Sequence, residues 1–330
     1  MIMDKESAVP NTLSVSSIAS FVVKIKSKNE VLEAHDLAKK EGLPLFAIGE
    51  GSNIVPHDYV KAVVAILDSK GMEIRGNQLK IQAGEKWDDA VRFSVKHGLC
   101  GIEPLSAIPG KSGAVPVQNI GAYGCEISDC LESVEVYDKI KKGFAVLSKK
   151  ECQFEYRNSL FKKYPDNFIV VSVNLKLSKE KPEMPKYKGV EEYFGAKNNN
   201  FPGLKEIREA IIKIRTNKLP DPNIVPNAGS FFINPILEEK VALVIKNRFP
   251  EIPVFPFEGK IKIPAGWLIE NVGLKGSKIG KIEISPNNAL VLTNPNRANF
   301  EEIMEAENFI VQRVFQKFGI TLEREPRIIG

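Results

Sequence analysis

One stretch of the sequence, from Gly101 to Gly124 (GIEPLSAIPGKSGAVPVQNIGAYG), has a composition suited to binding a phosphate-bearing cofactor. It is rich in glycine and proline, and Glu103 and Lys111 are its only charged residues. Glycine accepts positive φ and lets a ligand approach the backbone closely, so N–H groups here can turn toward a phosphate. The apolar residues between the glycines indicate a packed segment and not a solvated linker. A tight structural connection beside a β-bulge is the alternative that composition leaves open.

A second glycine-rich stretch, Gly49-Glu50-Gly51-Ser52-Asn53, follows an apolar run at 43–48 that predicts a buried strand. A glycine-rich turn at the carboxyl end of a parallel strand is a typical phosphate-binding position in α/β sheets. No helical pattern follows this turn, so it is neither a dinucleotide-fold glycine motif nor a Walker loop. An ordinary β-turn is an equally good interpretation.

Two side chains elsewhere have the chemistry to act on a substrate. Arg157 lies between aromatic and polar residues near a strand boundary, where its guanidinium offers a rigid fork of donors to an anion or an enolate. A surface arginine in a weak salt bridge is the alternative. Ser230 stands between Gly229 and two phenylalanines, so its hydroxyl is partly desolvated. A serine that bonds to its own backbone in a turn is the alternative there.

These residues have to be positioned by a chain whose first half predicts an α+β arrangement with an antiparallel component. Ser27 followed by Glu30 predicts a capping box for a helix that Gly42 ends. This helix lies between two strands, so the unit is β-α-β and the strands are expected to be parallel. Gly76-Asn77 predicts a hairpin turn between two short strands. The predicted strands of this half cover 21–25, 43–48, 62–67, 72–76, 79–84, 132–138, 144–148 and 168–177, and the predicted helices cover about 30–40 and 87–97.

The second half of the chain alternates helices with segments rich in glycine, proline and asparagine. Residues 179–203 predict an irregular excursion that can act as a lid over a ligand, and 216–229 predict a hinge into a last domain. Asn299 with Glu302 predicts a capping box for a long helix. Its apolar stripe consists of Ile303, Ala306, Ile310, Val314 and Phe318. The other predicted elements are helices over 204–215 and 237–249, a helix and turn over 264–276, a strand over 287–294 and an extended end over 322–330.

The composition is that of a globular protein with two or three domains. The 330 residues carry a net charge of +5 and are 43% hydrophobic and 26% charged. The lysines are scattered, so we expect no nucleic-acid partner. No apolar run approaches a bilayer-spanning length and the N-terminus lacks the apolar core of a secretory signal. We therefore expect no membrane association and a cytoplasmic location.

Four cysteines, at positions 100, 125, 130 and 152, offer poor material for a metal site or a disulfide framework. They contain no CxxC pair, and the whole chain has three histidines. We therefore expect no metal, and we interpret each cysteine as a small buried hydrophobic residue in a reducing compartment.

Taken in chain order, a series of short motifs resembles the UDP-N-acetylenolpyruvoylglucosamine reductases (UDP-N-acetylmuramate dehydrogenases), the flavin reductases of bacterial cell-wall precursor synthesis. The resemblance runs nearly from end to end, and its central and NAGSFF motifs are the most specific. The motifs are GEGSN (49–53), IPGKSGAVPVQNIGAYG (108–124), YRNSLFK (156–162), NAGSFFINP (227–235), PAGWLIE (264–270), LKGSKIG (274–280), NNALVLTN (287–294) and LEREPRIIG (322–330). The chain departs from the family in having GEGSN for the usual GGGSN, and Asn11-Thr12-Leu13 for the usual HTF or NTF. These departures bear on flavin affinity more than on the reaction.

The resemblance implies an α+β, vanillyl-alcohol-oxidase-like (PCMH-type) architecture with a two-part FAD-binding fold and a C-terminal α+β substrate-binding domain. The implied FAD-binding subdomains are 1–70 and 71–215, and the implied UDP-sugar domain is 216–320. The tail 321–330 is expected to return towards the flavin site. The long segment between Arg157 and Asn227 resembles the longer of the family's two types, in which a tyrosine on this loop, here Tyr187, closes over the substrate.

The resemblance also implies the reaction. NADPH reduces a non-covalently bound FAD, which then passes a hydride to the enolpyruvyl ether of UDP-N-acetylenolpyruvoylglucosamine to give UDP-N-acetylmuramate. Arg157 would bind the substrate carboxylate and stabilise the enolate, Ser230 would donate the proton, and a protonated Glu325 would hydrogen-bond to the carboxylate. From the residues alone, Glu325 can instead pair with Arg324 or Arg327 on the surface. A monomer is expected.

The same resemblance implies which residues hold the ligands. Ser52 and Asn53 would add side-chain donors to the backbone that contacts the cofactor, and Lys218 would offer a point charge to a diphosphate. The implied cofactor residues are Gly49, Glu50, Gly51, Ser52, Asn53, Pro109, Gly110, Ser112, Gly113, Gln118, Asn119, Gly121, Ala122 and Gly124. The implied substrate residues are Tyr123, Tyr156, Tyr187, Lys218 and Asn234.

Two other functions fit parts of the pattern. A related oxidase would pass its electrons to O₂, but no family-type histidine or cysteine for covalent flavin attachment is evident, which disfavours several such enzymes. A nucleotide-sugar binding protein without activity would keep the same scaffold, but the intact Arg157, Ser230 and Glu325 disfavour it.

Overall fold

The computed structural model describes residues 1–195 and 202–330, which form two compact units. Unit 1 comprises residues 1–9, 18–51 and 61–216, and unit 2 comprises 10–17, 52–60 and 217–330. The implied three-part division is finer than this and stays a prediction. Within the described ranges, no helix is both long enough and apolar enough to cross a membrane.

The helices and strands are numbered in chain order. The helices are α1 (Lys28–Glu41), α2 (Trp87–Lys96), α3 (Ile127–Cys130), α4 (Leu160–Lys163), α5 (Lys188–Gly195), α6 (Leu204–Lys218), α7 (Glu239–Arg248), α8 (Ala265–Asn271) and α9 (Phe300–Phe318). The strands are β1 (Ile2–Ala8), β2 (Ile18–Ile25), β3 (Leu45–Ile48), β4 (Ile54–Pro56), β5 (Tyr59–Leu67), β6 (Met72–Arg75), β7 (Gln78–Gln82), β8 (Gly121–Ala122), β9 (Cys125–Glu126), β10 (Leu131–Asp138), β11 (Gly143–Ser148), β12 (Phe168–Lys176), β13 (Asn227–Ser230), β14 (Ile236–Leu237), β15 (Phe255–Phe257), β16 (Lys260–Lys262), β17 (Lys278–Ile279), β18 (Ile282–Ile284), β19 (Val291–Thr293) and β20 (Arg327–Ile329).

The first sheet of unit 1 has the order β1-β2-β5-β3. β1 pairs antiparallel with β2, and β3 pairs parallel with β5, so β5 lies between the two strands that flank α1. Ser27 caps α1 as predicted, since its side chain accepts from the Glu30 N–H, and Gly42 ends the helix at φ 65°. The Glu30 carboxylate does not complete the predicted capping box; it accepts instead from the Lys26 N–H at 2.5 Å.

The second sheet of unit 1 is antiparallel, in the order β11-β10-β12-β7-β6. The predicted hairpin at Gly76-Asn77 is confirmed, because Arg75 pairs with Gln78 across it. Buried residues of both sheets and of α2 form one apolar cluster, in which Trp87 is 1% exposed. This cluster is the core behind the glycine-rich segment.

The interpretation of residues 179–203 as irregular was wrong for part of that range. Residues 188–195 form α5, whose Val190 and Phe194 pack in a small cluster with Ile207, Ile211 and other residues of α6. Apolar spacing in this short helix was hidden by the surrounding Lys, Pro and Asn residues. The part of the prediction on residues 196–201 lies outside the described residues.

Unit 2 contains two small antiparallel sheets, β13-β19-β18-β17 and β14-β16-β15, and a parallel pair of β20 with β4. The α9 capping box of Asn299 and Glu302 is present in both directions, and the predicted apolar stripe is buried. The strand predicted over 287–294 is shorter, because Asn288 forms a turn: its side chain accepts from the Leu290 N–H at 3.1 Å and its carbonyl from the Val291 N–H at 3.0 Å.

Candidate active site

The glycine-rich segment is packed against unit 1, as its composition predicted. The Gly110 carbonyl accepts from the Trp87 N–H at 3.0 Å, and the Gly113 N–H donates to the Ala83 carbonyl at 2.8 Å. A Cβ added at Gly113 would lie 2.7 Å from the Ala83 Cβ, so a larger residue would push the segment off the sheet. Close packing within the protein is therefore one reason for glycine here, which supports the structural interpretation.

The N-terminus of α2 fixes the first half of the segment. The Trp87 indole N–H donates to the Leu105 carbonyl at 2.9 Å, and Asp88 accepts from the Ala107 N–H at 2.6 Å. The same carboxylate binds both terminal nitrogens of Arg208, at 2.7 and 2.6 Å. Burial alone would raise the pKa of Asp88, but the hydrogen bonds from Arg208 and Ala107 and the charge of Arg208 lower it. Asp88 is thus held as a carboxylate that contacts the segment at Ala107.

Lys111 joins this segment to the start of the 49–53 turn within unit 1. Its side chain covers Gly49, where an added Cβ would lie 2.9 Å from the Lys111 Cβ. The ammonium is 3.0 Å from the Gly84 carbonyl and 3.5 Å from Asp68. Burial and the charge of a neighbouring lysine lower the pKa of Lys111. Gly49, Glu50 and Gly51 belong to unit 1 and Ser52 and Asn53 to unit 2.

The side chain of Asn119 holds the turn that leads to β8 through its hydrogen bonds. It is 1% exposed and has φ 47°, a conformation that costs most side chains energy. Its amide nitrogen donates to Glu126 at 2.6 Å and to the Glu155 carbonyl at 3.2 Å, while its oxygen accepts from the Ser128 N–H at 3.1 Å. A cofactor contact by Asn119, which stays a prediction, would therefore come from its backbone.

The guanidinium of Arg157 lies against the glycine-rich segment. Its Nη2 donates to the Gly121 carbonyl at 2.7 Å, and its Cζ lies 5.2 Å from the ring centroid of Tyr156. A Cβ at Gly121 would come 3.1 Å from Nη1 and 2.9 Å from the Cγ of Glu126, so a larger residue here would crowd both side chains. Arg157 has φ 52°, and Lys162 donates to its carbonyl at 3.1 Å. The protein thus fixes both the backbone and one N–H of this residue.

Arg215 on α6 is a member of this group that sequence reasoning missed. It hydrogen-bonds with the Tyr123 hydroxyl, and its Nε is buried without a hydrogen-bond partner in the part of the chain that the structure describes. Burial lowers the pKa of Arg215; Tyr123 opposes this, and the charge of Arg157 adds to it. A signal existed in the sequence: Arg215 continues the i, i+4 row of Ile207 and Ile211, so a cation occupies the apolar stripe of the helix.

Two of the predicted substrate residues, Tyr123 and Tyr187, meet in unit 1. Their rings are edge-to-face, with centroids 5.1 Å apart and planes at 86°. Tyr187 precedes α5 and is 40% exposed, whereas burial raises the pKa of the Tyr123 hydroxyl. The loop tyrosine is therefore beside the glycine-rich segment, with an exposed face.

In unit 2, the segments that carry Ser230 and Glu325 pair with each other. The Glu325 N–H donates to the Phe231 carbonyl at 2.9 Å, and the Ile233 N–H donates to the Glu323 carbonyl at 2.9 Å. Ser230 ends β13 opposite Val291, so it lies in a strand and not in a turn. Phe231 and Phe232 are 0% and 1% exposed and anchor the pair in the core of the unit.

The remaining predicted residues of unit 2 are less closely grouped. Asn234 accepts from the Ala265 N–H at 2.9 Å and so marks the start of α8, while Lys218 is exposed at the end of α6. The Asn53 carbonyl accepts from the Arg327 N–H at 3.0 Å, where β20 meets β4. Since Arg157 belongs to unit 1, its convergence with Ser230 and Glu325 stays a prediction.

The cysteines pack as small hydrophobic residues, with one exception to the prediction. Cys100, Cys130 and Cys152 are buried, but Cys125 is only half-buried. Burial raises the pKa of Cys130 and of Cys152 to about 12, so these thiols are poor nucleophiles. Among the described residues no group of His, Cys, Asp or Glu has the arrangement of a metal site.

The segment fits a phosphate-bearing cofactor at one further atom. The hydroxyl of Ser112 is fully buried, and no described residue forms a hydrogen bond with it. A buried polar group without a partner is unusual in a folded protein, and a bound ligand is one way to satisfy it. Gly110, two residues before, has φ 115°, a conformation open to glycine but strained for other residues.

Two family models match the chain. The model described as UDP-N-acetylenolpyruvoylglucosamine reductase, C-terminal domain, matches residues 221–329, and the model described as FAD binding domain matches residues 19–143. Proteins named UDP-N-acetylenolpyruvoylglucosamine reductase are 34% identical to it in Xanthomonas axonopodis pv. citri and 35% identical in Pseudomonas aeruginosa and Escherichia coli K12. These alignments cover 97%, 96% and 97% of this chain and 93%, 96% and 94% of the relatives.

A solved structure shares the fold. The UDP-N-acetylenolpyruvylglucosamine reductase of Thermus caldophilus superposes with a TM-score of 0.68 at 24% identity, over 97% of this chain and 96% of that one. Together with the matching FAD-binding model, this confirms the predicted fold class of an α+β FAD-binding fold with a C-terminal α+β domain.

Proposed function

The chain belongs to the UDP-N-acetylenolpyruvoylglucosamine reductase family, and from that premise we propose that it reduces UDP-N-acetylenolpyruvoylglucosamine to UDP-N-acetylmuramate with NADPH. The reaction is a step of bacterial peptidoglycan precursor synthesis. The observation that supports the proposal most directly is the backbone pairing of 231–233, which follow Ser230, with 323–325, which include Glu325.

FAD, bound non-covalently, supplies the hydride chemistry that no amino-acid side chain offers. The residues that would hold it are the backbone of 49–53 and 109–124 and the hydroxyl of Ser112. The match of residues 19–143 to an FAD-binding model supports this assignment, as does the unsatisfied Ser112 hydroxyl.

Arg157 would bind the carboxylate of the enolpyruvyl group. A guanidinium presents donors in a plane that suits a carboxylate, and one of its N–H groups is already fixed on Gly121. When a hydride reaches the terminal carbon of the enolpyruvyl group, charge develops toward that carboxylate, and a cation held in place stabilises it without reorganisation. The nearby Arg215 adds to the positive field.

Ser230 would protonate the carbon next to the ether oxygen, and Glu325 would hydrogen-bond to the substrate carboxylate. A serine hydroxyl is a weak acid and needs neighbours that stabilise charge and relay a proton. A carboxyl can donate a hydrogen bond only when it is protonated, which desolvation by bound substrate would favour. Arg324, one of the two surface partners considered for Glu325, forms an ion pair with Glu307 through its Nε.

The remaining parts of the proposal are NADPH as the reductant, Tyr123, Tyr156, Tyr187, Lys218 and Asn234 as substrate contacts, and a monomer acting in the cytoplasm. The edge-to-face contact of Tyr123 with Tyr187 supports a shared role for these two rings. Lys218 is exposed, and an exposed ammonium suits a diphosphate contact.

The proposal is tested by measuring the two halves of the reaction separately under anaerobic conditions. Flavin reduction by NADPH and flavin reoxidation by the enolpyruvyl UDP-sugar are followed at the flavin absorption band. Ser230→Ala should slow reoxidation by roughly 10²–10⁴-fold, the usual contribution of a general acid, and leave reduction near normal. Ser16→Ala, an exposed serine of the same unit, is the matched control and should change neither half.

Other outcomes would favour the two alternative functions. Equal losses in both halves would exclude the donor role of Ser230. Flavin that is reoxidised by O₂ and not by the sugar would indicate an oxidase, and protein that cannot be reconstituted with FAD would indicate a binding protein without activity.

A further inference from the structure

Arg324, the residue before Glu325, forms an ion pair with Glu307 of α9. The Nε of Arg324 is 3.1 Å from one carboxylate oxygen of Glu307 and 2.9 Å from the other. Glu307 is 8% exposed and sits on the buried side of α9, close in sequence to Ile303, Ala306 and Ile310. The other buried residues of α9 are apolar. Glu307 is therefore a carboxylate on an otherwise apolar face, and it contacts Arg324.

The backbone around Arg324 is the backbone that aligns Glu325 with β13. Arg324 forms a β-bridge with Phe232, and the flanking residues Glu323 and Glu325 make the hydrogen bonds to Ile233 and Phe231. In an extended segment successive side chains point to opposite faces. The contact of Arg324 with α9 therefore places Glu325 on the other face of the segment.

Charge is the second link between this pair and Glu325. A cation one residue away favours the ionised form of a carboxyl group. The carboxylate of Glu307 balances that cation, and Arg324 in turn opposes the effect of burial, which raises the pKa of Glu307. When one partner of a largely buried ion pair is removed, the charge of the other partner is left uncompensated.

We propose that Glu307 and Arg324 are a positioning pair, in which Glu307 cancels the positive charge that Arg324 would otherwise place next to Glu325. The proposal rests on the function proposed above, in which Glu325 acts as a protonated donor. Neither member of the pair touches the substrate. The pair acts on the protonation step through the charge state of Glu325.

The experiment compares Glu307→Gln, Arg324→Gln and the double variant on the intact flavoprotein, with the two half-reactions and the melting temperature measured for each. Glu307→Gln leaves a cation beside Glu325, so flavin reoxidation by the sugar should fall about tenfold while reduction by NADPH stays within twofold. Arg324→Gln leaves a buried carboxyl that can take up a proton, so reoxidation should stay within about threefold of wild type. The double variant carries neither charge and should recover most of the loss of Glu307→Gln.

Recovery in the double variant is what a purely structural pair would not give. If the double variant is slower than Glu307→Gln, or if both half-reactions fall equally, the proposal is overturned. Glu307→Asp shortens the carboxylate by one methylene and offers a milder form of the same test should Glu307→Gln not fold; it should slow reoxidation about threefold, and no change would overturn the proposal.

Exposed Glu323 provides the control on the same segment, since Glu323→Gln should alter neither half-reaction. A wild-type protein whose flavin the sugar does not reoxidise would overturn the proposed function and this role together. A wild type that is reoxidised normally, with Glu307→Gln equally active, would overturn the role of the pair alone.

Discussion

The two segments that carry the proposed chemistry are held in place in opposite ways. The 101–124 segment of unit 1 is irregular and includes Asn119 at φ 47° and Tyr123 at φ 54°, with Arg157 beside it at φ 52°. In unit 2, residues 231–233 and 323–325 are extended and satisfy each other's backbone groups. The first segment adds side-chain partners to its backbone hydrogen bonds, whereas the extended pair is aligned by backbone hydrogen bonds.

The difference shows where each unit keeps its stability. Part of the buried backbone of the first segment pairs within the segment, as the Ala114 N–H does with the Lys111 carbonyl. Other groups need partners outside it, as the Ala107 N–H does with the Asp88 carboxylate. An extended pair needs little beyond an apolar anchor, which Phe231 and Phe232 provide with their rings 5.3 Å apart. Removing a hydrogen-bonded side chain that supports the first segment should therefore lower the free energy of unfolding more than removing a polar side chain from the extended pair.

The largest effect is expected for Asn119→Ala. The change removes three hydrogen bonds and leaves alanine at a positive φ, so the free energy of unfolding should fall by about 3 kcal/mol. Urea denaturation measures this. Asn119→Gly loses the same hydrogen bonds, but glycine adopts the positive φ without strain. It should therefore be more stable than the alanine variant by about 1 kcal/mol. Equal stability of the two variants would show that no strain is held at this position.

Asp88→Asn should have the next largest effect, about 1 kcal/mol near pH 7, because it removes the charge that binds Arg208 while solvent screens the 38% exposed carboxylate. The folded-state pKa of Asp88 is lowered, so its contribution is complete above the ordinary aspartate pKa of about 4 and is lost as pH falls through the folded value. The stability difference between wild type and variant should therefore narrow below pH 4. A difference that stays constant down to the acid transition would contradict this origin.

Ser112→Ala should have the smallest effect on folding and a clear one on the cofactor. The hydroxyl has no hydrogen-bond partner among the described residues, so unfolding free energy should change by less than about 0.5 kcal/mol. Loss of a hydrogen bond to bound FAD should weaken its affinity about tenfold, equivalent to about 1.4 kcal/mol. Titration of the apoprotein with FAD, followed by flavin fluorescence, measures the affinity. Unchanged affinity would mean that the segment holds the cofactor without this residue.

Much of the fold could be predicted because its signals are local. The cap of α1 by Ser27, the hairpin at Gly76-Asn77 and the capping box and apolar stripe of α9 all depend on residues within a few positions of each other. The errors came where a local pattern was weak or misleading. α5 lies in a polar region, and the strand expected over 287–294 is interrupted by the turn at Asn288.

The same distinction between local and long-range information applies to the candidate site. Sequence motifs predicted Arg157, Ser230 and Glu325 and the two glycine-rich stretches, and they gave the family to which the chain belongs. They did not predict Arg215 beside Tyr123, the inward use of the Asn119 amide or the Glu307–Arg324 pair.

The amino-acid sequence alone thus determined the helix boundaries set by caps and periodicity, and the chemistry set by motif residues. Only the tertiary structure decided which charges meet, since Asp88 and Arg208 are 120 positions apart and Glu307 and Arg324 are 17 apart. The physical reason is the distance along the chain between the residues that interact. A helix cap, or the i, i+3 and i+4 spacing of an apolar stripe, depends on residues within one or two helical turns of each other. The partner of a buried charge is whichever residue the packed core brings to it.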